Sequence, residues 1–163
     1  MGLAYVGTSN DKIVKKLLHI AVSDVDYDVR RAAVTCIGLI MYKNSEMVPK
    51  LVSLLAGSYN PYVRQGAAMA IGIACAAKPS SEALKILETL QADPQNFVRQ
   101  AGMIATAMVL CQSNPKTSDK LEEFKEKIDK VIKDKAQDVM GKMGAIVSFG
   151  ILNAAGRNAT ISL

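Results

Sequence analysis

His19 is the single histidine among 163 residues, so a catalytic reading has to begin there. A catalytic site needs a nucleophile with a base, a carboxylate pair in a cleft, or a metal set. His19 instead sits beside Leu17, Leu18 and Ile20 in a helical pattern, which predicts a partly buried, hydrogen-bonded structural residue. Cys36, Cys75 and Cys111 are odd in number and widely spaced, so neither a disulfide framework nor a zinc site is expected. Each lies in an apolar run where a thiol behaves as a small hydrophobe. The glycines open no strand-loop-helix phosphate cradle. No catalytic residue, metal or cofactor is expected.

The polar residues that do keep a spacing are arginines and acids. Arg30, Arg64 and Arg99 fall 34 and 35 residues apart, and Met140 follows 41 residues later in a worn copy. Asp24 stands six residues before Arg30 and Asp93 six before Arg99, with Ser58 before Arg64 and Asp134 before Met140. A turn carboxylate at that distance has the reach to accept the guanidinium, within one unit or between units. Two roles stay open: a structural ladder that sets the stacking angle, or a row of cationic sites for an acidic partner. An exposed pair alone contributes only about 0–1 kcal/mol.

These residues belong to a repeated string. NPYVRQGAAMAIG (Asn60 to Gly72) returns as DYDVRRAAVTCIG (Asp26 to Gly38) and QNFVRQAGMIATA (Gln95 to Ala107), and less clearly as QDVMGKMGAIVSF (Gln137 to Phe149). A period in the thirties marks a helical repeat array, because one helix pair cannot bury its apolar face alone. The first helix of each pair is announced by Asn10-Asp11, Ser45-Glu46, Ser81-Glu82 and Ser118-Asp119, spaced 35, 36 and 37 residues apart. In each, a capping side chain precedes an acid that meets the positive end of the helix dipole. Asn60-Pro61 and Asp93-Pro94 predict a cap followed by proline at the first helical position.

Apolar stripes follow at helical spacing: Ile13, Val14, Leu17 and Leu18, then Met47, Val48, Leu51, Val52 and Leu55. Leu84, Leu87 and Leu90 form a third, and Leu121, Phe124, Ile128, Val131 and Ile132 a fourth. The fourth helix, about Ser118 to Ala136, is expected to be longer than its counterparts, with Glu123–Lys127, Glu126–Lys130 and Asp129–Lys133 paired on its outer face. The second helices are apolar around most of their circumference. Their glycines, Gly38, Gly66, Gly72, Gly102, Gly144 and Gly150, each cost about 1 kcal/mol against alanine, which predicts compensation from close helix apposition. The predicted fold is an all-α solenoid of antiparallel helix pairs, with units at 10–44, 45–79, 80–115 and 116–156. Residues 1–9 read as the tail of a preceding unit and 157–163 as an extended segment. The last helix is expected to end near Ala155-Gly156. An array without polar caps predicts self-association through its open ends, or a rearranged terminal helix.

The longest apolar runs fall well short of the roughly 20 residues that span a bilayer. No cationic leader is evident, so a soluble intracellular chain is expected. Asn158-Ala159-Thr160 matches a glycosylation acceptor, a pattern common by chance. The net charge is +5, but the lysines between Lys116 and Lys142 are interleaved with acids. That is a solvated mixed face, and neither nucleic acid nor membrane is expected as a partner.

The Asp-x5-Arg spacing beside a small-residue helix resembles HEAT-type repeats. GLAYVGTSND, KKLLHIAVSDVDYDVRRAAV, YNPYVRQGAAMAIGIACA, DPQNFVRQAG and GILNAAGRNATISL are more specifically similar to the proteasome/cyclosome repeat region of the largest non-ATPase subunit of the 26S proteasome regulatory particle. The resemblance implies repeats that form part of a toroid and a non-catalytic scaffold serving ubiquitin-dependent degradation in cytoplasm and nucleus. It implies lid and ATPase-ring subunits as partners. Receptor recruitment through a far C-terminal tail does not carry over to these residues. The glycines carry over only as inter-helix packing positions. A different HEAT-like adaptor or transport scaffold is the alternative.

Overall fold

The computed structural model describes residues 2–42, 44–113 and 119–154. Among them are eight α-helices and no strand. They are α1 (Asp11–Ser23), α2 (Tyr27–Ile40), α3 (Met47–Ala56), α4 (Pro61–Ala74), α5 (Ser81–Gln91), α6 (Asn96–Leu110), α7 (Asp119–Lys133) and α8 (Val139–Leu152). Each odd helix packs on the even helix that follows it, and the even helices stack directly: α2 on α4, α4 on α6, α6 on α8. The chain is an α-solenoid whose continuous inner layer is the even helices. No described helix is long and apolar enough to cross a membrane.

The outer helices form because one face of each is apolar. Val14 and Leu17 of α1, Val48, Val52 and Leu55 of α3, Leu84, Leu87 and Leu90 of α5, and Leu121, Phe124 and Ile128 of α7 are all buried. Met47, expected in the α3 stripe, is exposed. α7 has 15 residues against 13, 10 and 11 for α1, α3 and α5. Its acids Asp119 and Glu122 stand in the first turn and Lys130 and Lys133 in the last, each matched to the dipole end it meets. Of the expected outer-face pairs only Asp129–Lys133 forms; Lys125 takes Glu122, and Lys127 turns inward to Gln91.

Helix starts follow sequence unevenly. Asn10 caps α1 by accepting from the Lys12 and Ile13 N–H groups, and Asn60 caps α4 with Pro61 at its first position. Ser45 does not cap α3: its N-cap residue is Glu46, and the Ser45 carbonyl accepts from the Cys75 thiol instead. α5 is capped one residue earlier than expected, by Ser80. Asp93 does not cap α6, whose N-cap residue is Gln95. The Ser118 cap, the helix end at Ala155-Gly156, the acceptor at Asn158 and the 157–163 segment lie outside the described residues.

Counting from the N-cap residues Asp26, Asn60, Gln95 and Asp138 gives the inner helices a common register. Four residues on stand Arg30, Arg64, Arg99 and Lys142, so Lys142, and not Met140, occupies the arginine position of α8. Six residues on, Gly66 and Gly144 let the helices touch. A methyl group at Gly66 would lie 2.7 Å from the Arg31 carbonyl oxygen, and one at Gly144 2.9 Å from the Gln100 Cα. Twelve residues on, a methyl at Gly38 would lie 2.5 Å from the Ala70 carbonyl oxygen, and one at Gly72 2.9 Å from the Ala105 Cα. These glycines are where backbones meet, and a side chain has nowhere to go. Gly102 is apposed differently, against the end of α5 at Leu90 and Gln91. Gly150 meets nothing within 4 Å among the described residues, so no close contact there accounts for it.

The N-terminal residues obey the same register. Gly2 lies against Cys36 as Gly38 lies against Ala70, and Gly7 donates its N–H to the Leu39 carbonyl as Ala77 donates to Met108. Gly7 and Ala77 both have positive φ, 68° and 57°.

Candidate interaction surface

The arginines at the fourth position of α2, α4 and α6 reach back to the turn that precedes their helix. Arg64 Nη1 donates to the Ser58 and Tyr59 carbonyls at 2.9 and 3.0 Å. Arg99 Nη1 donates to the Asp93 and Pro94 carbonyls at 2.8 and 3.0 Å, and Arg30 Nε donates to the Asp24 carbonyl. The residue six places back therefore offers its main-chain oxygen, not a carboxylate. The expected Asp24–Arg30 carboxylate contact does not form. Ser58 serves as well as aspartate because every residue has the carbonyl. The side chains at Asp24, Ser58 and Asp93 instead accept the N–H two residues on, bending the chain into the next helix. Asp134 makes the same turn to Ala136, but two places further from its helix, which is why the fourth copy slips in register.

The carboxylates come from the following unit. Asp93 accepts Arg64 Nε at 2.6 Å and Nη2 at 2.9 Å, a two-pronged pair joining α4 to the turn before α6. Asp138 accepts Arg99 Nη2 while its other oxygen accepts the Gly141 N–H, so one side chain caps α8 and ties it to α6. Burial pushes the Asp93 carboxyl up. The Arg64 bonds, the Gln95 N–H and the charges of Arg64 and Arg99 outweigh it and hold the group below its ordinary range. The Arg99 bond, with the Gly141 N–H, holds Asp138 low as well. Arg30 has no carboxylate within ion-pair distance among the described residues; its guanidinium carbon lies 5.7 Å from the centre of the Tyr27 ring.

Beside the arginines runs an aromatic column that the reading of the sequence does not include. Tyr27 stacks on Tyr62 with ring centres 5.6 Å apart, and Tyr62 meets Phe97 at 5.2 Å. Its signal is present in the chain: residues 27, 62 and 97 are 35 residues apart, close to the repeat intervals of 34 and 35.

His19 is exposed, with Nδ1 3.1 Å from the Ser23 hydroxyl, which itself donates to the His19 carbonyl. The partly buried histidine expected from its apolar neighbours is corrected: the helix turns it outward. Cys75 is fully buried, and burial raises its thiol to about 11 despite Lys78. A cleft of about 180 Å³ separates α7 from α5 and α6, and across it Lys127 Nζ donates to Gln91 at 2.7 Å. Gln91 donates in turn to Thr106 at 2.6 Å, a polar seam where α7 stands off from α5.

The end of the stack differs from its interior. On α8, Val139, Met143, Ile146 and Phe149 are 83, 52, 53 and 47 % exposed. The residues at the register positions of Ile146 (Val34, Ala68, Met103) and of Phe149 (Ile37, Ile71, Thr106) are buried. The face that α2, α4 and α6 each present to the next helix is uncovered on α8 among the described residues.

Stacked helix pairs joined by an arginine ladder define a repeat scaffold, and the pattern for HEAT repeats matches residues 14–107, more than half of the chain. The chain belongs to the HEAT repeat family. It is also 53 % identical, over 164 aligned residues covering all of it, to the 26S proteasome non-ATPase regulatory subunit 1 of Drosophila melanogaster. It is 50 % identical over 163 residues to homolog B of that subunit in Arabidopsis thaliana, and 49 % identical to the 26S proteasome regulatory subunit RPN2 of Eremothecium gossypii. The chain spans 16 to 18 % of the length of these relatives.

Proposed function

We propose that this chain is a non-catalytic docking scaffold, a stretch of the repeat region of a 26S proteasome regulatory-particle subunit. In that role it supports ubiquitin-dependent protein degradation in cytoplasm and nucleus by holding lid and ATPase-ring subunits. The observation that carries the reading is similarity along every part of the chain to subunits named as regulatory and non-ATPase. On this reading the units are 10–44, 45–79, 80–115 and 116–156, residues 1–9 finish an earlier unit, and the array is an arc of a toroid. The Arg64–Asp93 and Arg99–Asp138 pairs hold neighbouring units at a fixed angle. The uncovered face of α8 receives a further inner helix or, in the isolated chain, another copy.

Affinity capture with the tagged chain from cell lysate tests the assignment. Recovery of proteasomal ATPase or lid subunits is expected; recovery of a transport cargo or a phosphatase in their place overturns it. Sedimentation velocity at rising concentration tests the α8 face. Concentration-dependent self-association is expected, and a Met143→Glu, Ile146→Glu variant should stay monomeric.

A further inference from the structure

We infer that Arg30 is an open rung of the ladder whose carboxylate is brought by a protein partner. This deepens the docking reading by naming the chemistry of one contact, and it rests on that reading. The two closed rungs supply the template. In Arg64 and Arg99, Nη1 is spent on turn carbonyls and Nη2 takes an acid from the next unit, joined at Arg64 by Nε. At Arg30 the turn carbonyl is taken by Nε, which leaves both Nη groups without an ion-pair partner among the described residues. The two places that supply an acid to the other rungs hold none here, and Asn60 stands where Asp138 caps α8. The place that Asp93 fills for Arg64 is held for Arg30 by Ser58, whose hydroxyl accepts the Asn60 N–H.

Local acids do not make up the loss. Asp24 and Asp26 accept the N–H groups of Asp26 and Asp28, and Asp28 pairs with Arg31. The surroundings suit an incoming side chain. Tyr27 lies beneath the guanidinium, and the adjoining turns carry Val25 and Tyr59, 92 and 99 % exposed. Arginine and tyrosine on an open surface are the residue types that anchor protein interfaces, and a carboxylate is the group a guanidinium fork fits in two prongs. The partner is therefore a protein segment presenting an aspartate or glutamate beside an aliphatic or aromatic residue.

The test follows the arginine Nε–Hε signals by NMR in the 15N-labelled chain. It is titrated with acetyl-Tyr-Asp-Leu-amide and, as control, acetyl-Tyr-Asn-Leu-amide. The Arg30 signal is identified with Arg30→Lys. A saturable shift of Arg30 alone, with the aspartate peptide alone, is expected. Ser58→Asp should close the rung from within, raising Tm by about 2–4 °C and abolishing the peptide shift. No shift, an equal shift with the asparagine peptide, or equal shifts at all three arginines overturns the proposal. So does a Ser58→Asp variant that still responds to the peptide. The titration uses the chain alone, so its failure is distinguishable from a failure to capture proteasomal subunits.

Discussion

Gly38 and Gly150 stand twelve residues past the caps of α2 and α8, yet their surroundings are opposite. A methyl group on Gly38 would press on the Ala70 backbone, while one on Gly150 would meet nothing among the described residues. The same contrast runs along the whole face: Val34 and Ile37 are buried, and Ile146 and Phe149 at the matching positions are not. In a solenoid a residue's environment is set by whether a neighbour is present, not by its place in its own helix. Small residues and apolar faces are thus fitted to contacts between units, and among the described residues α8 leaves the corresponding face uncovered.

The largest break of this comparison is expected at Gly72. Replacing it with leucine drives a side chain into the Ala105 backbone and the Met108 sulfur, where the helices already touch. Overpacking costs about 1–3 kcal/mol, and backbone against backbone leaves little room to relax, so the upper end or beyond is expected. Urea unfolding at constant m-value measures it. An unchanged midpoint would mean that α4 and α6 are not pressed together.

Next comes the rung itself. Asp93→Asn removes the charge from a pair whose side chains are 7 and 15 % exposed, and a loss of about 1.5–3 kcal/mol is expected. Asp24→Asn, six residues before its own arginine, should cost far less, because the Asp24 carbonyl makes the contact and survives the change. Equal losses at the two sites would restore the simple reading in which the turn carboxylate holds its own arginine. The pH dependence has a defined sign. Asp93 and Asp138 are held below their ordinary range in the folded chain. Their contribution is complete above the unfolded carboxylate value of about 3.9 and disappears as pH falls through the folded values. Stability should therefore drop below about pH 4, and less steeply in Asp93→Asn.

The array is legible in sequence because period, caps and apolar stripes are local and repeated. Asn60-Pro61 is a start signal that needs no tertiary information, and the structure has it as read. Asp93-Pro94 looks the same in sequence, but the Asp93 carboxylate is claimed by Arg64 from another unit, which no local pattern records. The six-residue spacing tells which residues meet and not which atoms do so. The carboxylate partners of Arg64 and Arg99 escape a local reading because they lie 29 and 39 residues downstream, and the second acid is itself a helix cap. The aromatic column is legible in its interval, but with so few aromatics in the chain the interval does not stand out. Two extra turn residues before α8 hide Lys142 behind Met140. His19 misleads for a plainer reason: apolar neighbours in sequence point to other faces of a helix.

The smallest effect sharpens the comparison most, because its sign carries the answer. In the isolated chain Gly150→Ala adds a methyl that meets nothing among the described residues and removes the helix cost of glycine, so a gain of about 0.5–1 kcal/mol is expected. The matching change Gly38→Ala forces a methyl to within 2.5 Å of the Ala70 carbonyl oxygen and should destabilise. Thermal unfolding of both variants at low concentration, where copies do not associate, should show Tm moving in opposite directions. At concentrations where copies associate, the Gly150→Ala gain should shrink or reverse, since the methyl would then stand where an incoming helix has to approach. A gain that stays constant across concentration would mean that this face is not where units meet, and that the glycine at position 150 has no part in stacking.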